Sequence, residues 1–125
     1  MPMDDRAFET LVRYLSKVPA ICGTIGRGGD DDGNWWVKFQ IDVAHELSWR
    51  TVQELGYVLN YLSIEERLPT TFYPVSPPPY LNGGVEFLSW VIENTDPQMR
   101  PGTVQEWLEG RLPQPVNDLE QWQVD

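Results

Sequence analysis

Cysteine, histidine and basic residues are scarce in this 125-residue sequence. It has one cysteine and one histidine, and its 9 Lys and Arg stand against 19 Asp and Glu, a formal net charge of −10. A single cysteine excludes an intrachain disulfide and a cysteine-ligated metal cluster. The shortage of basic residues argues against binding to nucleic acids or to anionic membranes, because both depend on positive charge at the protein surface.

Long apolar runs are also missing. None approaches the roughly 18 residues of a membrane-spanning helix. The first residues, Met1-Pro2-Met3-Asp4-Asp5, are acidic, whereas a secretory signal begins with basic ones. We therefore expect a cytoplasmic protein. The length predicts a single domain over residues 1–113, and the 41% of hydrophobic residues suffices to fold it. Residues 114–125 are expected to form a C-terminal tail, either docked or mobile.

Hydrophobic periodicity predicts helices and strands in alternation. The clearest pattern is a strand at residues 35–43, where apolar residues occupy the odd positions and polar residues most of the even ones. Pro74 cannot donate a ladder hydrogen bond, so the strand that contains it is predicted at a sheet edge. Residues 85–93 fit a buried strand better than a helix. The predicted helices cover residues 4–18, 48–66 and 103–109, and the predicted strands cover 21–25, 35–43, 70–75 and 85–93.

This order of elements predicts the fold class. The sequence Thr51-Val52-Gln53-Glu54 recurs 52 residues later as Thr103-Val104-Gln105-Glu106, and each copy is expected to open a helix that two strand-like segments precede. The order would be α-β-β-α-β-β-α, with a ββα pseudo-repeat. We expect an α+β two-layer sandwich, in which a four-stranded, mainly antiparallel sheet carries helices on one face. Gly56, inside the second helix, predicts close approach of a neighbouring element.

A nucleophilic catalytic set can be imagined from His45, Cys22 and Asp42. Nucleophilic catalysis would need a Cys22 thiol of lowered pKa within hydrogen-bond reach of the His45 imidazole, and nothing in the sequence determines that distance. The interpretation that we favour is structural. In it, Cys22 is a small core residue and His45 lies in the turn between a strand and a helix.

The acidic segment Asp30-Asp31-Asp32-Gly33-Asn34 resembles the start of a calcium-binding loop. Trp35 stands where the EF-hand pattern requires glycine, and Ile41 stands where it requires the bidentate glutamate. We therefore expect a solvated hairpin loop, and we predict neither a metal nor a cofactor for this chain.

Aromatic residues are the least ordinary feature, with six tryptophans in the chain. Three of them (Trp35, Trp90 and Trp107) fit core positions, whereas Trp36, Trp49 and Trp122 have no obvious buried partner in the periodicity. Pro77-Pro78-Pro79-Tyr80 matches the PPxY motif that aromatic-lined grooves recognise. A rigid connector with Tyr80 packed back on the domain is the alternative interpretation of that segment.

The sequence thus predicts a small acidic, non-catalytic module that recognises or neutralises a basic protein, as immunity proteins and effector chaperones do. The alternative is a small enzyme or small-ligand-binding protein with an aromatic-lined pocket that uses His45 and Cys22. A homodimer is also favoured, because the edge strand at 70–75, Trp36, Leu119 and Trp122 offer surface for a second copy. The residues expected to contact a partner are Trp36, Trp49, Tyr80, Trp122, Asp30, Asp31 and Asp32.

Overall fold

Four antiparallel strands in one sheet, together with three helices, confirm the predicted α+β class. The structure is a computed structural model, and it describes residues 5–62, 69–75 and 87–123. In chain order the elements are a 3-10 turn at Asp5–Phe8, α1 at Glu9–Leu15, β1 at Ile21–Gly29, β2 at Trp35–Asp42, α2 at Ser48–Gly56, a π-helical turn at Tyr57–Leu62, β3 at Thr70–Pro74, β4 at Phe87–Asn94, α3 at Pro101–Glu109 and a 3-10 turn at Leu119–Trp122.

The strands lie in the order β1-β2-β4-β3, and each neighbouring pair is antiparallel. β3 is therefore an edge strand, as Pro74 predicts. β4 is a strand over Phe87–Asn94, which confirms the strand interpretation of that segment. β2 is central and alternates strictly between buried and exposed residues up to Ile41, as its period of two predicts.

The core lies on one face of the sheet. The inward side chains of β2, such as Val37 and Phe39, belong to the same buried cluster as Leu11 of α1, Leu55 of α2 and Leu108 of α3. Burial of these apolar side chains is the main source of stability for such a fold. On the opposite face β2 presents its exposed residues, Trp36, Lys38 and Gln40.

The two copies of the Thr-Val-Gln-Glu sequence begin at different places in their helices. Thr51 is the fourth residue of α2, which begins at Ser48, whereas Thr103 is the third residue of α3, which begins at Pro101. The ββα pseudo-repeat therefore stays a prediction.

The C-terminal segment packs into the core as far as residue 123. Trp122 has no exposed surface, and its Nε1–H donates a hydrogen bond to the Val116 carbonyl oxygen at 2.9 Å. Val116 is itself buried. The expectation that Trp122 is an exposed contact residue is therefore wrong. Its indole fills the core from a four-residue 3-10 turn, which is too short for a helical or strand period to mark a buried position.

Candidate functional site

His45 has a local structural role. It lies in the turn between β2 and α2, and its Nδ1 accepts a hydrogen bond from the Leu47 backbone N–H at 3.0 Å. The side chain of Asp42 holds the same turn, because its Oδ1 accepts from the Ala44 backbone N–H at 2.9 Å. Both groups thus satisfy backbone donors of the connection, as the structural interpretation of His45 expects.

The surroundings of Cys22 oppose a nucleophilic role. Cys22 is half-buried on β1, where it pairs in register with Gln40 of β2. Burial, and then the negative charge of Asp42, raises the pKa of the Cys22 thiol. A reactive cysteine needs the reverse, an electropositive environment that stabilises the thiolate. Among residues 5–62, 69–75 and 87–123, no group of three or more His, Cys, Asp or Glu is arranged to hold a metal ion.

Asp30 organises the hairpin loop between β1 and β2. Its carboxylate accepts hydrogen bonds from the Asp32 N–H at 2.9 Å, from the Asn34 N–H at 3.1 Å and from the Asn34 Nδ2 at 3.3 Å. These bonds build the solvated hairpin loop that the sequence predicts. Asp31 and Asp32 are exposed and leave their charges at the surface.

Trp36 lies across the glycine-rich strand β1. A Cβ atom placed on Gly28 would come within 2.5 Å of Trp36 Cζ2, so the indole occupies the space that only glycine leaves open. The residue as a whole is still 38% exposed. On the other side of β2, Glu93 of β4 is the register partner of Trp36. Trp36 therefore covers the sheet backbone and offers an indole next to a carboxylate.

Trp49 belongs to an exposed row on α2 and the π-helical turn. Trp49 is 68% exposed, Tyr57 51% and Tyr61 56%, and with Gln53 they recur every four residues. We call Trp49, Tyr57 and Tyr61 the aromatic row. It lies on the side of the helix opposite buried Leu55. The rings of Tyr57 and Tyr61 stack on each other, with centroids 5.5 Å apart.

Sequence reasoning missed Tyr57 and Tyr61 because it followed only the buried face of this helix. The signal that it could have used is the recurrence of aromatic residues at a spacing of four on the polar face. The expectation for Gly56 finds no support among the described residues. A Cβ atom placed on Gly56 would have none of their atoms within 4 Å, so no described element approaches it.

The structure divides the predicted contact residues between two places. Trp36 and Asp30 line one cleft at the end of the sheet where the β1–β2 hairpin turns. Trp49 lies beyond the other end of β2 and lines a shallow groove, in which the core residue Trp122 also takes part. Tyr80, with the rest of the PPxY segment, lies outside the described residues.

Comparisons with known protein families, with curated proteins and with solved structures find no match to this chain. Within the part of the chain that the structure describes, no helix combines the length and the apolar character that crossing a membrane requires.

Proposed function

We propose that this protein is a non-catalytic binding module that recognises, and thereby masks or neutralises, a basic protein partner in the cytoplasm. The observation that carries the proposal is the aromatic row. Trp49, Tyr57 and Tyr61 each leave half or more of their surface in water, although such side chains are normally buried in part against their own domain.

Among the described residues, the aromatic row is not part of the buried hydrophobic core. It projects from the helix face opposite to the one that enters the core, where Leu55 and Leu59 lie fully buried. Trp and Tyr dominate the energetic centres of protein interfaces because they bury a large area while losing little rotamer freedom.

Charge supports a basic partner. Two of the chain's few basic side chains are already paired within helices, Arg13 with Glu9 and Arg50 with Glu54. Arg111 stacks on Trp107, with its Cζ 3.3 Å from the ring centroid. The 19 acidic residues outnumber the 9 basic ones, and a net charge of −10 would steer a cationic protein toward this one.

The alternative of a small enzyme gains no support from the residues on which it depends. The Nδ1 of His45 accepts a hydrogen bond from the Leu47 N–H within its own turn. The raised pKa of Cys22 keeps its thiol protonated at neutral pH. A lone cysteine without a disulfide partner also suits the reducing cytoplasm.

The test begins with affinity capture from the native host at low salt, followed by identification of the proteins that elute as salt rises. The captured partner's dissociation constant is then measured for the parent protein and for a variant that carries Trp49→Ala, Tyr57→Ala and Tyr61→Ala. The matched control carries Val43→Ala and Leu119→Ala, because these two apolar side chains are also exposed but lie outside the row. Circular dichroism verifies that both variants fold.

We expect the row variant to bind at least about 100-fold more weakly, which is the loss of roughly 2.7 kcal/mol that hot-spot residues typically supply. The control should bind within about twofold of the parent, and association should slow as ionic strength rises. Equal binding by the row variant and the control would refute the proposal. So would a captured ligand that the protein chemically converts.

A further inference from the structure

The sheet has a second face, turned away from the core, and part of it is open to solvent. Residues that stand directly opposite each other in antiparallel strands share one face of the sheet. The register sets Trp36 against Glu93 and Lys38 against Val91, and Tyr73 lies on the other side of Val91. We call these five residues the outer face. Three of them, Trp36, Lys38 and Tyr73, are exposed.

An apolar patch lies on the outer face. Val91 is buried, although it does not belong to the hydrophobic cluster on the core side of the sheet. The exposed ring of Tyr73 is its register partner on β3. Exposed Val75 continues the alternation of β3, and its backbone N–H donates to the Ser89 carbonyl at 2.8 Å. Apolar surface of this kind is typical of a protein contact.

The edge strand β3 offers less to a second copy than the sequence suggests. The Phe72 N–H donates to Asn60 Oδ1 at 2.7 Å, and Asn60 Nδ2 donates to the Phe72 carbonyl at 2.9 Å. One side-chain amide thus occupies both backbone groups that would pair with another strand. Pro74, two residues further along, has no N–H to offer. The homodimer predicted from the sequence therefore fits the outer face better than this edge.

The distribution of charge favours a second copy over a basic partner on this face. The four strands contain two basic residues, Arg27 and Lys38, and two acidic residues, Asp42 and Glu93. The strands are therefore neutral, whereas the whole chain has a net charge of −10. Two copies repel each other least when they meet through neutral strands, and a cationic protein is attracted more strongly to the rest of the surface.

Lys38 and Glu93 make the outer face complementary to itself. They are diagonal neighbours, because Lys38 stands opposite Val91 and Glu93 lies two residues further along β4. Within the described part of the chain, Lys38 forms no ion pair. In a dimer with two-fold symmetry every contact between two different residues occurs twice. Such a dimer sets Lys38 of each copy against Glu93 of the other.

The size of the sheet suits a weak dimer. With four strands and eight residues in β2, the face measures about 19 Å by 26 Å at the usual strand spacing and rise, a flat area of about 500 Å². Stable interfaces bury about 600–1,000 Å² of accessible surface on each partner. Accessible surface exceeds the flat area because side chains project from the sheet. The outer face thus lies near the lower end of this range.

We propose that the outer face is the interface of a two-fold symmetric homodimer, in which two sheets pack face to face and Lys38 of each copy pairs with Glu93 of the other. The helices lie on the two outer sides of this dimer, in four layers of α-β-β-α. The aromatic row projects from α2 away from the core, so it stays accessible on both copies. The dimer goes beyond the proposed function and does not depend on it.

The first test is sedimentation velocity of the full chain at physiological salt, over a series of concentrations from about 1 to 500 μM. We expect a monomer–dimer equilibrium with a dissociation constant of about 10–100 μM, as befits a small interface. Val75→Asp places a charge in the apolar patch and should weaken the dimer at least about tenfold. Val43→Asp is the matched control, because Val43 is also exposed but lies outside the outer face. It should change the dissociation constant less than about twofold.

Charge reversal tests the pairing of Lys38 with Glu93. Lys38→Glu and Glu93→Lys each set like charges against each other, and each should weaken the dimer at least about tenfold. A mixture of the two variants restores opposite charges across the interface, so it should form heterodimers more tightly than either variant forms homodimers. Lys17→Glu makes the same change of net charge as Lys38→Glu at an exposed position outside the sheet, and it should have an effect below about twofold. Circular dichroism verifies that every variant folds.

Four results would overturn the proposal. They are a monomer at every concentration, equal weakening by Lys38→Glu and Lys17→Glu, equal weakening by the two valine variants, and no gain of affinity in the mixture. Loss of the dimer in the variant that lacks the aromatic row would place the contact on α2 and would also overturn it. The affinity for a basic partner is a separate measurement, so the proposed function stands or falls independently.

Discussion

Replacing Trp122 by alanine tests whether the C-terminal segment is part of the folded core. Trp122 is fully buried, and its Nε1–H satisfies the carbonyl of buried Val116. Truncation of a buried aromatic side chain to alanine typically costs about 3–5 kcal/mol, because apolar contacts are lost and a cavity is left behind. We expect a loss in this range for Trp122→Ala. Trp122→Phe keeps most of the ring and removes the donor, and it should cost about 1–3 kcal/mol.

The assay is urea unfolding followed by far-UV circular dichroism. With a denaturant slope of about 2 kcal/mol per molar urea, a loss of about 4 kcal/mol moves the midpoint by about 2 M. The phenylalanine variant stays measurable if the alanine variant is too unstable to show a native baseline. The matched control is Trp49→Ala, which deletes the same atoms from a side chain that is 68% exposed and should cost less than about 0.5 kcal/mol.

The two tryptophans make the reasoning easy to refute. The sequence pattern gives neither tryptophan a buried partner, whereas in the structure Trp122 is fully buried and Trp49 is mostly exposed. If Trp122→Ala and Trp49→Ala lower the free energy of unfolding equally, the packing described here for the C-terminal segment is wrong. A small effect of Trp122→Phe alone would instead show that the hydrogen bond to Val116 contributes little.

Three further predictions follow from individual contacts. Gly56→Ala should raise the free energy of unfolding by about 0.5–1 kcal/mol, seen as a higher melting temperature, because alanine favours the helix and its Cβ meets open space; a lower melting temperature would contradict this. Thr51→Val should lower the free energy of unfolding, measured with urea, by about 1–3 kcal/mol, because the buried Thr51 hydroxyl donates to the Pro19 carbonyl at 2.7 Å. Thr51→Ser keeps the hydroxyl and should retain most of the stability. Burial and the charge of Asp42 raise the pKa of the Cys22 thiol, so this thiol should react with iodoacetamide at pH 8 more slowly than free cysteine does. Asp42→Asn should lower that pKa and speed the reaction. An unchanged rate in this variant would count against the effect of Asp42.

Much of the fold could be predicted because its signals are local. The alternation of residues 35–43 specifies a strand with one buried face, and β2 has that form. Pro74 lacks the N–H of a central strand, and β3 lies at the sheet edge. Both signals depend only on residues a few positions apart, which share one element and hence one period.

The candidate sites were predictable only in part. The exposure of Trp36 and Trp49 agrees with their lack of a place in the apolar pattern. The cleft that Trp36 and Asp30 line was not predictable, because it depends on the register that sets Trp36 against Glu93, and strand register is a property of the assembled sheet. Tyr57 and Tyr61 were overlooked for a different reason. The apolar period of a helix indicates which residues are buried, and it does not distinguish among the exposed residues those that could contact a partner.

Composition and short-range periodicity, which add up along the chain, determined the acidity of this protein, its α+β class and the faces of its strands. The burial of Trp122 was decided only when distant segments packed together. Trp122 is buried because its segment folds back to fill space beside Val116, and no described element reaches Gly56. Side-chain burial is a property of the neighbours that the fold supplies, and those neighbours are far away in the sequence.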